Sequence, residues 1–235
     1  LPSAGLWDVV ATGRGFTNQS YQQHEQFSTA VVLTRAKPTM DIRFELSPQA
    51  EIDGVVVDEA GEAVRGAILS LMRVRAAVPD NSMPATTMRS IATTDDRGMY
   101  EFDGLPPGSY KICVQAQPWY AVAAGRARQN TGDDPALDPS LDVAYPVTWF
   151  PGSIDPDGAE TLTLHGGDVR QADFHMLPVP SMHLLITPPP AEPGAQRGMS
   201  FPIIQRADSG AGYMPFVQPT VTRNAQGQID VGGLT

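Results

Sequence analysis

Four histidines, one cysteine and twenty-six acidic side chains are the groups of this chain that could move protons, hold a metal or attack a carbonyl. His24, His165, His175 and His183 stand far apart, and none belongs to a His-Glu-x-x-His or His-x-x-Glu pattern. The zinc site of a metallopeptidase is therefore not encoded. His175 and His183 fall on expected strands and read as ordinary packed or surface imidazoles. A lone thiol, Cys113, makes neither an internal disulfide nor a cysteine-rich zinc site. Ala207-Asp208-Ser209-Gly210-Ala211 lacks the flanking glycines of a nucleophile elbow. Asp155-Pro156-Asp157-Gly158-Ala159-Glu160 has the oxygens of a calcium loop but is too short and carries a proline, so it reads as a solvated turn. Asp95-Asp96 and Asp133-Asp134 read as turn residues. Neither a P-loop nor a dinucleotide fingerprint is present. The expectation is a non-enzymatic protein with no catalytic residue, cofactor or metal ligand.

Recognition is a different matter. Trp119, Tyr120, Tyr145, Trp149 and Phe150 flank a polar stretch. Such rings stack on sugars, which makes them a candidate glycan patch; they also serve to cover a junction between packed units. Asn18-Gln19-Ser20 is an acceptor pattern for N-glycosylation. The formal charge of −10 argues against nucleic acid, which needs a basic face, and against an anionic membrane surface. No apolar run approaches the length of a membrane helix, so membrane insertion is not expected. Leu1-Pro2-Ser3-Ala4-Gly5 lacks the basic start and apolar stretch of a signal peptide.

The elements that must position these groups are strands. Gly and Pro number 22 each, and they sit between apolar runs rather than in one tract, as turn residues do. In Tyr110-Lys111-Ile112-Cys113-Val114-Gln115, alternation puts Tyr110, Ile112 and Val114 on one face and Lys111, Cys113 and Gln115 on the other. Asp41 to Leu46 alternates likewise. Val31–Thr34, Ile52–Val57, Ala67–Met72, Met99–Phe102, Leu162–Leu164, Met182–Ile186 and Ile203–Gln205 are further expected strands. Asp58-Glu59-Ala60-Gly61 and Asp95-Asp96-Arg97-Gly98 suit tight turns with glycine at the left-handed position. Leu105-Pro106-Pro107-Gly108 is a rigid corner, since two prolines remove two ladder donors. One short helix is expected over Ala121 to Gln129.

Internal similarity organises the chain. Phe44-Glu45-Leu46-Ser47-Pro48 returns as Phe174-His175-Met176-Leu177-Pro178, and Gly98 to Leu105 returns as Gly227 to Leu234. Leu1-Pro2 with Gly5 to Ala11 matches Leu105-Pro106 with Gly108 to Val114 at a shorter spacing. The difference implies an insertion in the middle unit, about residues 121–145, rich in Gly, Asp, Asn and Pro.

Gly54-Val55-Val56-Val57-Asp58, Gly61, Val64, Gly66-Ala67, Thr93-Thr94-Asp95, Gly98-Met99-Tyr100-Glu101-Phe102, Gly104-Leu105-Pro106-Pro107-Gly108 and Tyr110 form an ordered set. On these residues the segment Glu51 to Ala116 resembles a carboxypeptidase regulatory-like domain, a transthyretin-like, Ig-like β-sandwich. The resemblance implies a non-catalytic module of seven or eight strands, found in secreted and envelope proteins of bacteria. Three stretches are expected: 1–49 with the closing strands of one unit, 50–179 as a complete unit carrying the insertion, and 180–235 with the opening strands of another.

Leu1 and Leu234 both align with Leu105, so the outer stretches are complementary parts of one unit. Two arrangements satisfy that. The chain is a stretch of a tandem array of repeats, or copies join head to tail, with Leu6, Trp7, Asp8, Val9, Val10 and Ala11 as the donor strand that completes a neighbour. The expected function is an extracellular or cell-surface structural element, such as a fibre subunit, whose partners are other copies or adjacent repeats. The alternative is a carbohydrate-binding module using the Trp119/Trp149 region, with glycans as partners.

Overall fold

The computed structural model describes residues 5–24, 27–74, 86–123, 138, 140–187, 219–223 and 228–235. These form an almost all-β structure with an α-helical stretch at 119–123 and a 3-10 turn at Pro156–Gly158. The expected strand Ile203–Gln205, and the helix beyond 123, lie outside the described residues, as does most of the expected insertion.

The central region is a sandwich. β5 (Ala50–Val57) pairs antiparallel with β8 (Met99–Leu105) on one side, and parallel with β13 (Val169–Gln171) and β14 (Phe174–His175) on the other. The facing sheet runs β7 (Thr86–Thr93), β6 (Ile68–Val74), β9 (Gly108–Gln115), with β11 (Thr148–Trp149) and β12 (Leu162–Leu164) both on the free side of β9. Alternation along β5 sends Ala50, Ile52, Gly54 and Val56 inward. Ala50, Ile52 and Val56 meet Leu69, Leu71, Tyr110, Ile112, Val114 and Phe174 in one buried cluster. Removing that apolar area from water supplies the main favourable term of folding.

Two aspartate turns hold the strand connections. The Asp58 Oδ1 atom accepts from the backbone N–H of Ala60 at 2.9 Å and of Glu62 at 2.8 Å. Asp95 Oδ1 accepts from Arg97 at 2.9 Å and Met99 at 2.8 Å in the same way. Gly61 and Gly98 follow at φ +80° and +74°, where a side chain is strained. Gly54 is a different case. A Cβ there would lie 2.2 Å from the carbonyl oxygen of Ala172, so glycine lets the chain between β13 and β14 pass close to β5. At the proline corner the Tyr110 hydroxyl donates to the Pro106 carbonyl at 2.7 Å, anchoring the entry to β9.

On either side lie smaller sheets. β1 (Gly5–Trp7) pairs with β4 (Val31–Leu33), and β2 (Val10–Ala11) with β3 (Gln19–Ser20). After β14, β15 (Val179–Pro180) pairs with β10 (Val143–Ala144). The chain then enters a three-stranded sheet of β16 (Met182–Ile186), β18 (Ile229–Leu234) and β17 (Thr220–Arg223), with β18 central. Gly104 in β8 and Gly233 in β18, paired by the internal similarity, both have positive φ, +64° and +77°.

Three expectations are corrected. Asp41 to Leu46 keeps alternating exposure but forms no strand, because no neighbouring strand pairs with it. The donor strand Leu6 to Ala11 is not continuous: it breaks at Asp8-Val9 into β1 and β2, which pair with different partners of their own stretch. Cys113, expected on the open face of β9, is fully buried because neighbours on both sides of β9, Trp149 of β11 and Met72 of β6, pack against it. Burial pushes its thiol up to about 12, so it carries no thiolate near neutral pH.

Candidate functional site

The most elaborated region is the end of the sandwich where β9 runs out into the helix and the three-stranded sheet comes alongside. Pro118 opens the helix, with the Val122 N–H donating to the Pro118 carbonyl at 3.1 Å. A carboxylate holds it in place. Tyr120 donates to Glu59 Oε1 at 2.6 Å and Tyr145 to Glu59 Oε2 at 2.8 Å. Glu59 belongs to the first aspartate turn, so that turn grips both ends of the segment carrying the insertion. Burial opposes charge on Glu59, but the Tyr120 hydroxyl, a backbone hydrogen bond and the Tyr145 hydroxyl together outweigh it and hold its carboxyl below the usual range. Burial and then the bond to Glu59 push the Tyr120 phenol up to about 12, and the same causes push Tyr145 higher. Both phenols therefore stay protonated donors.

Beside the helix is a cavity of about 360 Å³. Ile68, Ala116, Val122, Ala144 and Val147 give it apolar walls, and Arg65 and Trp119 stand among its lining. Gln115 also lines it, and its side-chain amide nitrogen is buried with no acceptor among the described residues.

A second polar contact joins the sandwich to the three-stranded sheet. His183 on β16 places Nδ1 2.8 Å from Asp230 Oδ1 on β18 and Nε2 2.8 Å from Asp142 Oδ1, just before β10. A carboxylate on each nitrogen favours the doubly protonated imidazolium over the neutral ring. Burial alone lowers its pKa, but the bonds to Asp142 and Asp230 more than offset this, and the net shift is upward. Ser181 adds to the junction: its N–H donates to the Asp142 carbonyl at 2.9 Å and its hydroxyl accepts from Gly233 N–H at 2.7 Å. The sequence reading of His183 as an ordinary imidazole missed this, because its partners lie 41 and 47 residues away.

The expected aromatic patch divides. Trp119 is 69% exposed at the cavity and Tyr120 packs edge-on against it, centroids 5.8 Å apart. Tyr145 is buried beneath. Trp149, only 8% exposed, lies with Met72 and Cys113, and Phe150 packs edge-on against core Phe174 at 5.9 Å. A joint Trp119/Trp149 sugar platform is thus corrected: β11 turns Trp149 onto a different surface and covers it. Asn18 is exposed, just before β3. Among the described residues no three His, Cys, Asp or Glu side chains are placed to hold a metal ion. No helix among them is long and apolar enough to cross a membrane.

No family model matches the chain, and no curated protein is similar to it. Solved structures share distant likeness. The minor pilin GBS52 of Streptococcus agalactiae is 12% identical over 77% of this chain and 58% of its own, with a TM-score of 0.29. A streptococcal ancillary pilin is 12% identical over 79% of this chain and 48% of its own, at 0.32. (S)-allantoin synthase is 14% identical over 55% and 40%, at 0.29. The chain spans less than two thirds of the length of each. Scores this low carry no argument about function.

Proposed function

We propose that the chain is a non-enzymatic structural module of a cell-surface or extracellular protein, assembled with further copies or repeats through its outer sheets. One observation carries this reading: the central sandwich closes its own core, whereas the flanking sheets leave apolar side chains open. Leu6 is 73% exposed, and Leu185, on the far sheet, 55%. Val32 and Leu184 accompany them as exposed side chains. Exposed apolar residues clustered on sheets with unpaired edges favour pairing with another chain.

The shared positive φ of Gly104 and Gly233 supports the repeat relationship behind this reading. So does the resemblance of Glu51 to Ala116 to a carboxypeptidase regulatory-like domain, from which the surface location is also proposed. The Leu6 to Ala11 stretch acts here as two short edges, β1 and β2, rather than as one inserted strand. Sedimentation velocity over a wide concentration range tests the proposal. Growth of the sedimentation coefficient with concentration, suppressed by Leu6→Asp or Leu185→Asp, is the expected result. A single monomeric species at every concentration would refute it.

A further inference from the structure

We infer that the cavity beside the helix is a binding site for a small aromatic carboxylate bearing a second oxygen on its ring. Its size falls in the range that ordinarily holds a small molecule. Ile68, Ala116, Val122 and Val147 form an apolar part of the lining, with Thr220 and Thr235 also at the cavity, so a flat body with few polar groups suits it. One donor points the other way. The buried Gln115 amide nitrogen has no acceptor among the described residues, and leaving such a group unmatched is costly. A ligand oxygen within the cavity satisfies it.

Two further groups select the rest of the ligand. Arg65 is exposed and forms no ion pair among the described residues, leaving its guanidinium free to take a carboxylate. Trp119 presents an exposed ring whose neighbour Tyr120 is fixed by Glu59, so a stacking surface is ready before binding. The pairing of a partly apolar lining, one buried donor, one cation and one aromatic face separates this site from an ordinary packing gap.

The test is titration of the full chain with 4-hydroxybenzoate, with 4-hydroxybenzamide as the uncharged probe and glucuronate as the sugar acid. Calorimetry and Trp fluorescence report binding. Saturable binding of 4-hydroxybenzoate is expected, weakened about tenfold in Gln115→Leu, as loss of one buried hydrogen bond implies. The uncharged probe and Arg65→Gln should each bind more weakly than the parent pair, and glucuronate should not bind. Gln115→Leu should also hold or raise the melting temperature, because it removes an unmatched donor. Three outcomes would overturn the inference: no 4-hydroxybenzoate binding at millimolar concentration, affinity unchanged in Gln115→Leu, or glucuronate binding as tightly. If Gln115→Leu unfolds, Gln115 is a structural residue, its assigned role fails, and the probe comparison on the parent chain decides whether any site remains.

Discussion

The central sandwich and the stretch before it are built from the same kind of sequence, yet they reach different ends. In the sandwich, strands of seven or eight residues meet face to face and enclose Ile52, Leu71, Ile112 and Phe174. Between Gly5 and Gln49, strands are two or three residues long, and Val31 is the one buried hydrophobic side chain among the described residues. Both have period-two alternation. The difference is whether a second sheet lies opposite the apolar face. A strand pattern specifies which side is oily, and only a facing layer turns that into stability.

That contrast predicts where substitutions hurt. Leu71→Ala or Ile112→Ala should cost about 2–5 kcal/mol in denaturant unfolding, by lost transfer energy and the cavity left behind. Leu185→Ala, on an open face, should stay within about 0.5 kcal/mol. Equal effects at the two places would erase the distinction. The aspartate turns come next. Asp58→Ala or Asp95→Ala removes two accepted backbone bonds and should cost about 1–2 kcal/mol, read from the shift in unfolding midpoint. A change near zero would mean that Gly61 and Gly98 set those turns unaided.

The junction of the sandwich with the three-stranded sheet should show a smaller effect than the turns, and one that depends on pH. The folded pKa of His183 is raised above 6.5, so the protonated ring contributes its full stabilisation below that value. The contribution is lost as pH rises through the raised folded value. His183→Gln should therefore destabilise the three-stranded sheet by about 1 kcal/mol in mild acid and by less in alkali. NMR titration of the ring checks the direction: a midpoint below that of a free histidine would contradict the Asp142–His183–Asp230 geometry.

Much of the sandwich was legible in the sequence, because its signals are local. The two Asp-x-x-Gly turns, the proline corner and the inward set Tyr110, Ile112 and Val114 follow from spacing and backbone chemistry. What escaped depends on distant chain. Nothing near Cys113 announces that Trp149 and Met72 cover it, and nothing near Trp149 announces that it turns away from Trp119. Asp41 to Leu46 has the pattern of a strand but no partner. Candidate site residues suffered most, since Glu59, Gln115, Asp142 and His183 acquire meaning only from contacts made across the fold.

The most direct test of the division between a closed centre and open flanks is residue-resolved hydrogen exchange at several protein concentrations. Amides of β6 and β9 should be strongly protected at every concentration, while those of β1, β4 and β16 exchange quickly when dilute and slow as the protein is concentrated. Flanking amides that exchange at one fast rate throughout, or central amides that exchange equally fast, would contradict it.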